Sequence, residues 1–253
     1  MKSVLTIIPA RRGSEGIPGK NKKLLCGSPL IEYSIRIAIE LLNRYDKMDL
    51  SVSTNDPDII DIARDICGST FNLRPDNLSS NSSLIGDVIS YEIEKASLKG
   101  RRYDSILLLQ PTSPLRNLDD VETCVQFSNE LDADSIVSVS QTGNSNPLTS
   151  YYVEGALASF YRGTATIDTF QTNRQNLPRV LSRNGAIYLI DTHVFISQKR
   201  MYTRNPWCYE MPRERSFNLD DNFDWELLET WMMSKEIMID NFFISGDISQ
   251  NEN

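Results

Sequence analysis

An apolar run, Val4-Leu5-Thr6-Ile7-Ile8, passes directly into Pro9-Ala10-Arg11-Arg12-Gly13-Ser14-Glu15-Gly16-Ile17-Pro18-Gly19-Lys20-Asn21, and a helical pattern begins soon after, at Ser28-Pro29. A short buried strand, a glycine- and proline-rich loop and a helix form the opening unit of a parallel α/β sheet. The loop also has the composition of a phosphate cradle. Glycines let backbone N–H groups approach an anion closely, and prolines hold the loop in shape before a ligand arrives. Between Ala10 and Lys23 stand five cations, Arg11, Arg12, Lys20, Lys22 and Lys23, against one anion, Glu15, in a chain of formal net charge -8.

Spacing excludes two familiar phosphate loops. A P-loop needs glycine five positions before its Gly-Lys pair and Ser or Thr after the lysine, where this chain has Ser14 and Asn21. A dinucleotide fingerprint needs G-x-G-x-x-G, whereas Gly13, Gly16 and Gly19 are evenly spaced. The remaining alternative at this level is a surface loop with a solvated basic face.

The rest of the chain continues the α/β rhythm. Leu30, Ile31, Ile35, Ala38, Leu41 and Leu42 give the first helix an apolar face, with Ser28 as its expected N-cap and Pro29 at its first position. Leu50 to Thr54 reads as a strand, Asp56-Pro57 as a helix start, and Leu84 to Leu98 as a helix after a polar loop at 72–83. Ser105 to Gln110, Ser135 to Val139 and Asn184 to Ile190 read as further strands, with a helix over about Leu118 to Leu131. The order predicts one domain over residues 1–253, an open, mostly parallel sheet with helices on both faces. Between Gln141 and Ser182 the pattern changes to short alternating pieces such as Tyr151-Tyr152-Val153 and Leu157-Ala158-Ser159-Phe160-Tyr161. That stretch has too little apolar mass for its own core and predicts an inserted β-rich arm.

Composition narrows the function. No apolar run reaches the ~20 residues of a membrane span, and residues 1–10 lack a signal-peptide layout, which predicts a cytoplasmic protein that does not engage a membrane. The acidic balance argues against nucleic acid. Cys26, Cys67, Cys124 and Cys208 are widely separated and read as apolar fillers. The single histidine, His193, restricts histidine-based triads and metal sites to that one residue. Read from the residues alone, Gln110 is a polar strand end, Arg116 a cation flanking a helix, and Asp220, Asp221 and Asp224 are helix caps.

The segment A-R-R-G-S-E-G-I-P-G-K-N closely resembles the N-terminal signature of the CMP-sialic acid synthetases (acylneuraminate cytidylyltransferases). The resemblance continues in order at Val52-Ser53-Thr54-Asn55-Asp56, Leu73-Arg74-Pro75, Leu108-Leu109-Gln110-Pro111-Thr112-Ser113-Pro114-Leu115-Arg116 and Asn184-Gly185-Ala186-Ile187-Tyr188. It implies a Rossmann-like nucleotidyltransferase that joins CMP from CTP to the anomeric hydroxyl of a nine-carbon sugar acid and releases pyrophosphate. By resemblance the nucleotide is held by Ala10, Arg11, Gly13, Ser14, Gly16, Lys20, Asn21, Arg74 and Ser82. Lys20, Arg11 and Asp220 would carry the chemistry. The sugar acid would meet Gln110, Arg116, Arg174, Arg183, Asn184 and Tyr188, and the arm at 141–182 would build a homodimer that completes the sugar pocket.

Resemblance also implies Mg2+, held in the family by two alternating aspartates near the C-terminus, on one face of an expected short strand within Ser216–Trp225. The corresponding residues are Asn218 and Asp220. One carboxylate has become an amide. Glu15 replaces the lysine usual in the first loop, Asn146-Pro147-Leu148-Thr149 lacks an expected lysine, and Ser182 stands where an arginine is usual, with Arg183 adjacent. The G-I-P-G-K-N form favours neuraminate- or legionaminate-type acids over octulosonate. The alternatives are a nucleotide-binding homologue with impaired chemistry, and a nucleotidyltransferase acting on another sugar.

Overall fold

β-branched and apolar residues place the strands, and proline, glycine and Asx caps place their ends. In order, the computed structural model contains β1 (Val4–Pro9), β2 (Leu24–Leu25), β3 (Ser28–Pro29), α1 (Leu30–Arg44), β4 (Met48–Ser53), α2 (Pro57–Cys67), α3 (Ile85–Leu98), β5 (Ser105–Leu108), α4 (Leu118–Glu130), β6 (Ser135–Gln141), β7 (Tyr151–Glu154), β8 (Leu157–Phe160), β9 (Leu181–Asp191), α5 (Thr192–Gln198), β10 (Trp207–Glu210) and α6 (Asn222–Ser234). The structure describes residues 1–69, 71–131, 133–141, 151–154, 157–160 and 179–239.

Six strands form one sheet in the order β10-β6-β9-β5-β1-β4. β1 pairs parallel with β4 and β5, and β10 parallel with β6, whereas β9 runs antiparallel to both β5 and β6. A single reversed strand in an otherwise parallel sheet gives the mostly parallel architecture that the sequence predicts. α1, α2 and α4 supply Ile35, Ala38, Ile59, Ala63, Val121 and Val125 to the apolar layer on one face. Ile89 of α3 and Phe195 of α5 cover Leu5, Ile7, Ile106 and Leu108 on the other. β7 and β8 pair antiparallel in a separate two-stranded sheet, matching the alternating pieces expected there. Within the predicted arm, residues 142–150, 155–156 and 161–178, which include Arg174 and the 146–149 segment, fall outside the described residues. Among those residues no helix is long and apolar enough to cross a membrane.

Two local expectations are corrected. Ser28 does not cap α1. Cys26 and Gly27 both have positive φ and turn the chain tightly, so Ser28–Pro29 pairs with Leu24–Leu25 as a two-residue hairpin. The first helical N–H, Leu30, then donates to the Lys23 carbonyl at 3.0 Å instead of to a side-chain cap. The alternating strand expected within Ser216–Trp225 is not formed either. Residues 216–220 carry no strand ladder, and the segment is held by Leu219 N donating to Thr112 O at 2.8 Å. Asp221 and Asp224 close a reciprocal capping box on α6, the role that residue type alone predicts for them.

β9 contains an irregularity that shapes the site. Val137 of β6 faces Tyr188 while Val139 faces Arg183, so residues 184–187 bulge out opposite Ser138. Ser138 Oγ restores the interrupted ladder by accepting from Ile187 N at 2.7 Å and bonding Asn184 Oδ1 at 2.6 Å. Gly185 sits at the bulge with φ +78, a conformation that disfavours any residue with a side chain.

Candidate active site

The cradle loop is fastened to the body through its own apolar and charged members. Ile17 is buried in a cluster with Leu115, Leu219, Trp225 and Leu228, which draws the middle of the loop against the segment before α6. Gly16 makes that contact close: a Cβ there would lie 2.0 Å from the Asp220 carbonyl oxygen. Gly13 faces open space, as an anion-receiving loop requires. Gly19 takes the left-handed φ of +63 that starts the 3-10 turn Lys20–Lys22. Buried Asn21 donates to the Arg11 carbonyl at 3.2 Å and so closes the loop from beneath.

The five cations take separate positions. Lys22 pairs with Asp56 at 3.1 Å and also with Asp58, and Lys23 lies 4.1 Å over the Trp225 ring. Arg12 is exposed, its backbone N–H donating to Asn55 Oδ1 at 2.9 Å. Lys20 is half-buried and donates to the Leu219 carbonyl at 2.6 Å. Burial pushes its pKa down, Asp220 and Asp224 pull it up, and Arg11 adds to the lowering. Lys20 therefore sits between the cation of the cradle and the acids of the 220–224 segment.

A second wall comes from the loop before α3. Arg74, 4% exposed, is held by Nε donating to Ser79 Oγ at 3.0 Å and Nη1 reaching Ser53 at 3.4 Å. Its pKa is pushed down by burial, with Glu92 opposing and Arg11 reinforcing, which places it in the electrostatic field of the cradle. Ser82 is exposed beside Ser80 at 3.1 Å. Asn81, which the sequence reading does not single out, joins the two walls: it accepts from Arg11 Nη1 and donates to Glu15 Oε1. The amide-rich composition of residues 72–83 is the sequence signal that could have pointed to it.

On the third side, Gln110, Ser113 and Asn218 converge on the β9 bulge. A Cβ at Gly185 would meet Gln110 Oε1 at 3.2 Å, Asn218 Oδ1 at 3.4 Å and Ser113 Oγ at 3.5 Å. Arg183 is exposed and stacks 4.0 Å over the Tyr202 ring. Tyr188 lies 6.3 Å from the same ring and is raised in pKa by burial, with Arg183 opposing.

Two expected sugar contacts are corrected here. Arg116 is fully buried, donating through Nη1 to the carbonyls of Gln110 (2.7 Å), Ser113 (2.9 Å) and Ala186 (3.3 Å), and through Nη2 to Ser34 Oγ. Burial lowers its pKa to about 9. Its guanidinium ties the 110–116 loop to β9 and faces no cleft. Asn184 is likewise inward: Oδ1 accepts from Ser138 and Nδ2 donates to Ser216 Oγ at 2.9 Å, so it anchors the acid segment to the bulge.

Asn218 and Asp220 do lie side by side, with Asn218 Nδ2 donating to Asp220 Oδ2 at 2.9 Å. Asp220 is exposed and its second carboxylate oxygen has no hydrogen-bond partner among the described residues. Among those residues no group of three His, Cys, Asp or Glu side chains could enclose a metal by itself. Asn218 turns its Nδ2 to that carboxylate and its Oδ1 toward Gly185, so the open Asp220 oxygen is the group that fits a hard cation such as Mg2+ taking its remaining ligands from phosphate and water.

These walls meet at the carboxyl ends of β1 and β5, where open α/β sheets receive their ligands. Solved structures share this fold. One titled CMP:2-keto-3-deoxy-manno-octonic acid synthetase complexed with CTP superposes with a TM-score of 0.62 at 18% identity, covering 92% of this chain and 99% of that one. A 4-diphosphocytidyl-2C-methyl-D-erythritol synthase gives 0.60 at 10% identity, covering 92% and 100%. In sequence, the CMP-N,N'-diacetyllegionaminic acid synthase of Legionella pneumophila is 29% identical over 242 residues, 93% of this chain and 99% of that protein. The N-acylneuraminate cytidylyltransferase of Streptococcus agalactiae is 30% identical over 224 residues, 87% of this chain and 51% of that protein. The chain therefore spans about half the length of that relative. The family profile described as cytidylyltransferase matches residues 5–214, taking in the cradle, Arg74, the 110–116 loop and the β9 bulge. The chain belongs to the cytidylyltransferase family.

Proposed function

We propose that this protein transfers the cytidylyl group of CTP to the anomeric hydroxyl of a sialic acid-like nonulosonic acid and releases pyrophosphate. The observation that carries the reading is the approach of Lys20 to Leu219 and Asp220 across the Gly16 contact, which joins the cation-rich loop to an exposed carboxylate at one point. Relatives named for N-acylneuraminate and N,N'-diacetyllegionaminic acid support the acceptor class.

In the reaction the sugar hydroxyl oxygen gives up its proton to solvent and bonds to the α-phosphorus of CTP, and the bond between that phosphorus and the bridging oxygen to the β-phosphate breaks. Catalysis of this kind rests on positioning and charge stabilisation more than on proton relays, which suits a chain with one histidine. Lys20 and Arg11 would hold the α- and β-phosphates, and the backbone N–H groups of Gly13 and Ser14 would receive phosphate oxygens. Arg74 would sit on the nucleoside side with Ser82. Gln110, Arg183 and Tyr188 would face the sugar acid, whose carboxylate suits the Arg183 guanidinium. Asp220, with Asn218, would hold Mg2+, which when bound offsets charge on the leaving pyrophosphate. A homodimer built through residues 141–182 and a cytoplasmic location belong to the same proposal.

31P NMR of CTP, Mg2+ and a neuraminate- or legionaminate-type acid tests the reading. The expected result is loss of the three CTP resonances with growth of pyrophosphate and one phosphodiester signal. Pyrophosphate accompanied by free CMP alone would refute transfer to the sugar. A second reading, a nucleotide-binding homologue with impaired chemistry, is favoured by one observation: the Asn218 amide occupies one oxygen of the Asp220 carboxylate. Under it, CTP binds and its resonances persist with every acid.

A further inference from the structure

Glu15 is the one acidic residue between Ala10 and Lys23. It is exposed, yet tied: Asn81 donates its amide N–H to Glu15 Oε1 and accepts from Arg11 Nη1 with its oxygen. The amide is thus polarised between a cation and an anion, which strengthens both bonds. Through Asn81 the carboxylate is held one amide away from the Arg11 guanidinium, which would offer its charge to phosphate.

Resting on the cytidylyltransferase reading, we propose that Glu15 is a specificity-determining residue of the cradle, a fixed carboxylate that disfavours metal-free CTP and admits its magnesium complex. Free CTP carries about four negative charges near neutral pH, and a bound Mg2+ removes about two of them, so repulsion from a nearby carboxylate falls by roughly half. The consequence is a cradle whose affinity depends on the metal state of the nucleotide through the charge of Glu15, separately from any ligation by Asp220.

Calorimetric titration of CTP, in EDTA and in excess MgCl2, into the wild-type protein and Glu15→Gln tests this. Glutamine keeps an oxygen that can accept from Asn81, so the clasp persists and only the charge is lost. The wild type is expected to bind the magnesium complex at least about tenfold more tightly than free CTP. In Glu15→Gln, free CTP is expected to tighten by about five- to tenfold while the magnesium complex changes by less than about threefold. An unchanged ratio between the two nucleotide forms would overturn the proposal, and so would equal weakening of both, the signature of a structural role. If pyrophosphate release with a sugar acid is intact while the ratio is unmoved, this proposal alone fails. A wild type that binds neither form overturns the cytidylyltransferase reading with it.

Discussion

Lys20 combines a charge proposed to bind phosphate with an environment that works against it. Burial lowers its pKa, and the opposing pull of Asp220 and Asp224 does not fully restore it. In the proposed reaction the ammonium form would hold phosphate, so deprotonation on raising the pH would remove the interaction, and at a lower pH than for an exposed lysine. The kcat/KM for CTP is therefore expected to fall on an alkaline limb, and that limb should vanish from the residual activity of Lys20→Ala. That variant should lose about 10²–10³-fold in kcat with an unchanged circular-dichroism spectrum. Near-normal turnover would remove Lys20 from the chemistry. Gly16 and Gly13 make a paired test. The Cβ of Gly16→Ala would collide with the Asp220 carbonyl, so the variant should lose about 1–3 kcal/mol of stability and need more magnesium for half-maximal activity. Gly13→Ala, facing open space, should stay within about 0.5 kcal/mol of wild type in urea denaturation. At this scale the sequence reading found the residue types of the cradle from charge and spacing. It missed the direction of Arg116 and Asn184, because nothing local distinguishes an arginine or asparagine at a cleft from one turned into the core.

The elements that carry the site are joined by buried polar ties. Arg116 satisfies three carbonyls across the 110–116 loop and β9, and Asp120, fully buried at the start of α4, receives Arg215 and the Tyr209 hydroxyl. Removing the guanidinium would leave those carbonyls unpaired in a dry environment. Arg116→Met is expected to cost at least about 3 kcal/mol, read as a lowered urea midpoint with an unchanged slope. A variant of wild-type stability would return Arg116 to the cleft. Asp56-Pro57 announced α2 in the sequence because an Asx cap and a first-position proline act locally. The hairpin at Leu24–Pro29, the β9 bulge and the unpaired 216–220 segment were not legible, since each depends on what lies across from it. Ser138 and Thr112 make those contacts from distant parts of the chain.

In the whole molecule, the alternation of strand and helix predicted the mostly parallel sheet and the strand ends at which the candidate site lies. The strand order, with β9 reversed between β5 and β6, was not deducible, because periodicity carries no direction. The proposed dimer belongs to this scale: sedimentation velocity should show a single species of twice the protomer mass, and a monomer with full activity would detach the 141–182 segment from the site. The measurement bearing most directly on the account is pyrophosphate release from CTP and Mg2+ by wild type and Lys20→Ala, across neuraminate, legionaminate, pseudaminate and octulosonate acids. Release by the wild type is expected to depend on a neuraminate- or legionaminate-type acid and to collapse in Lys20→Ala. Release that ignores the acid, or a wild type that binds CTP yet stays silent across the panel, would contradict it.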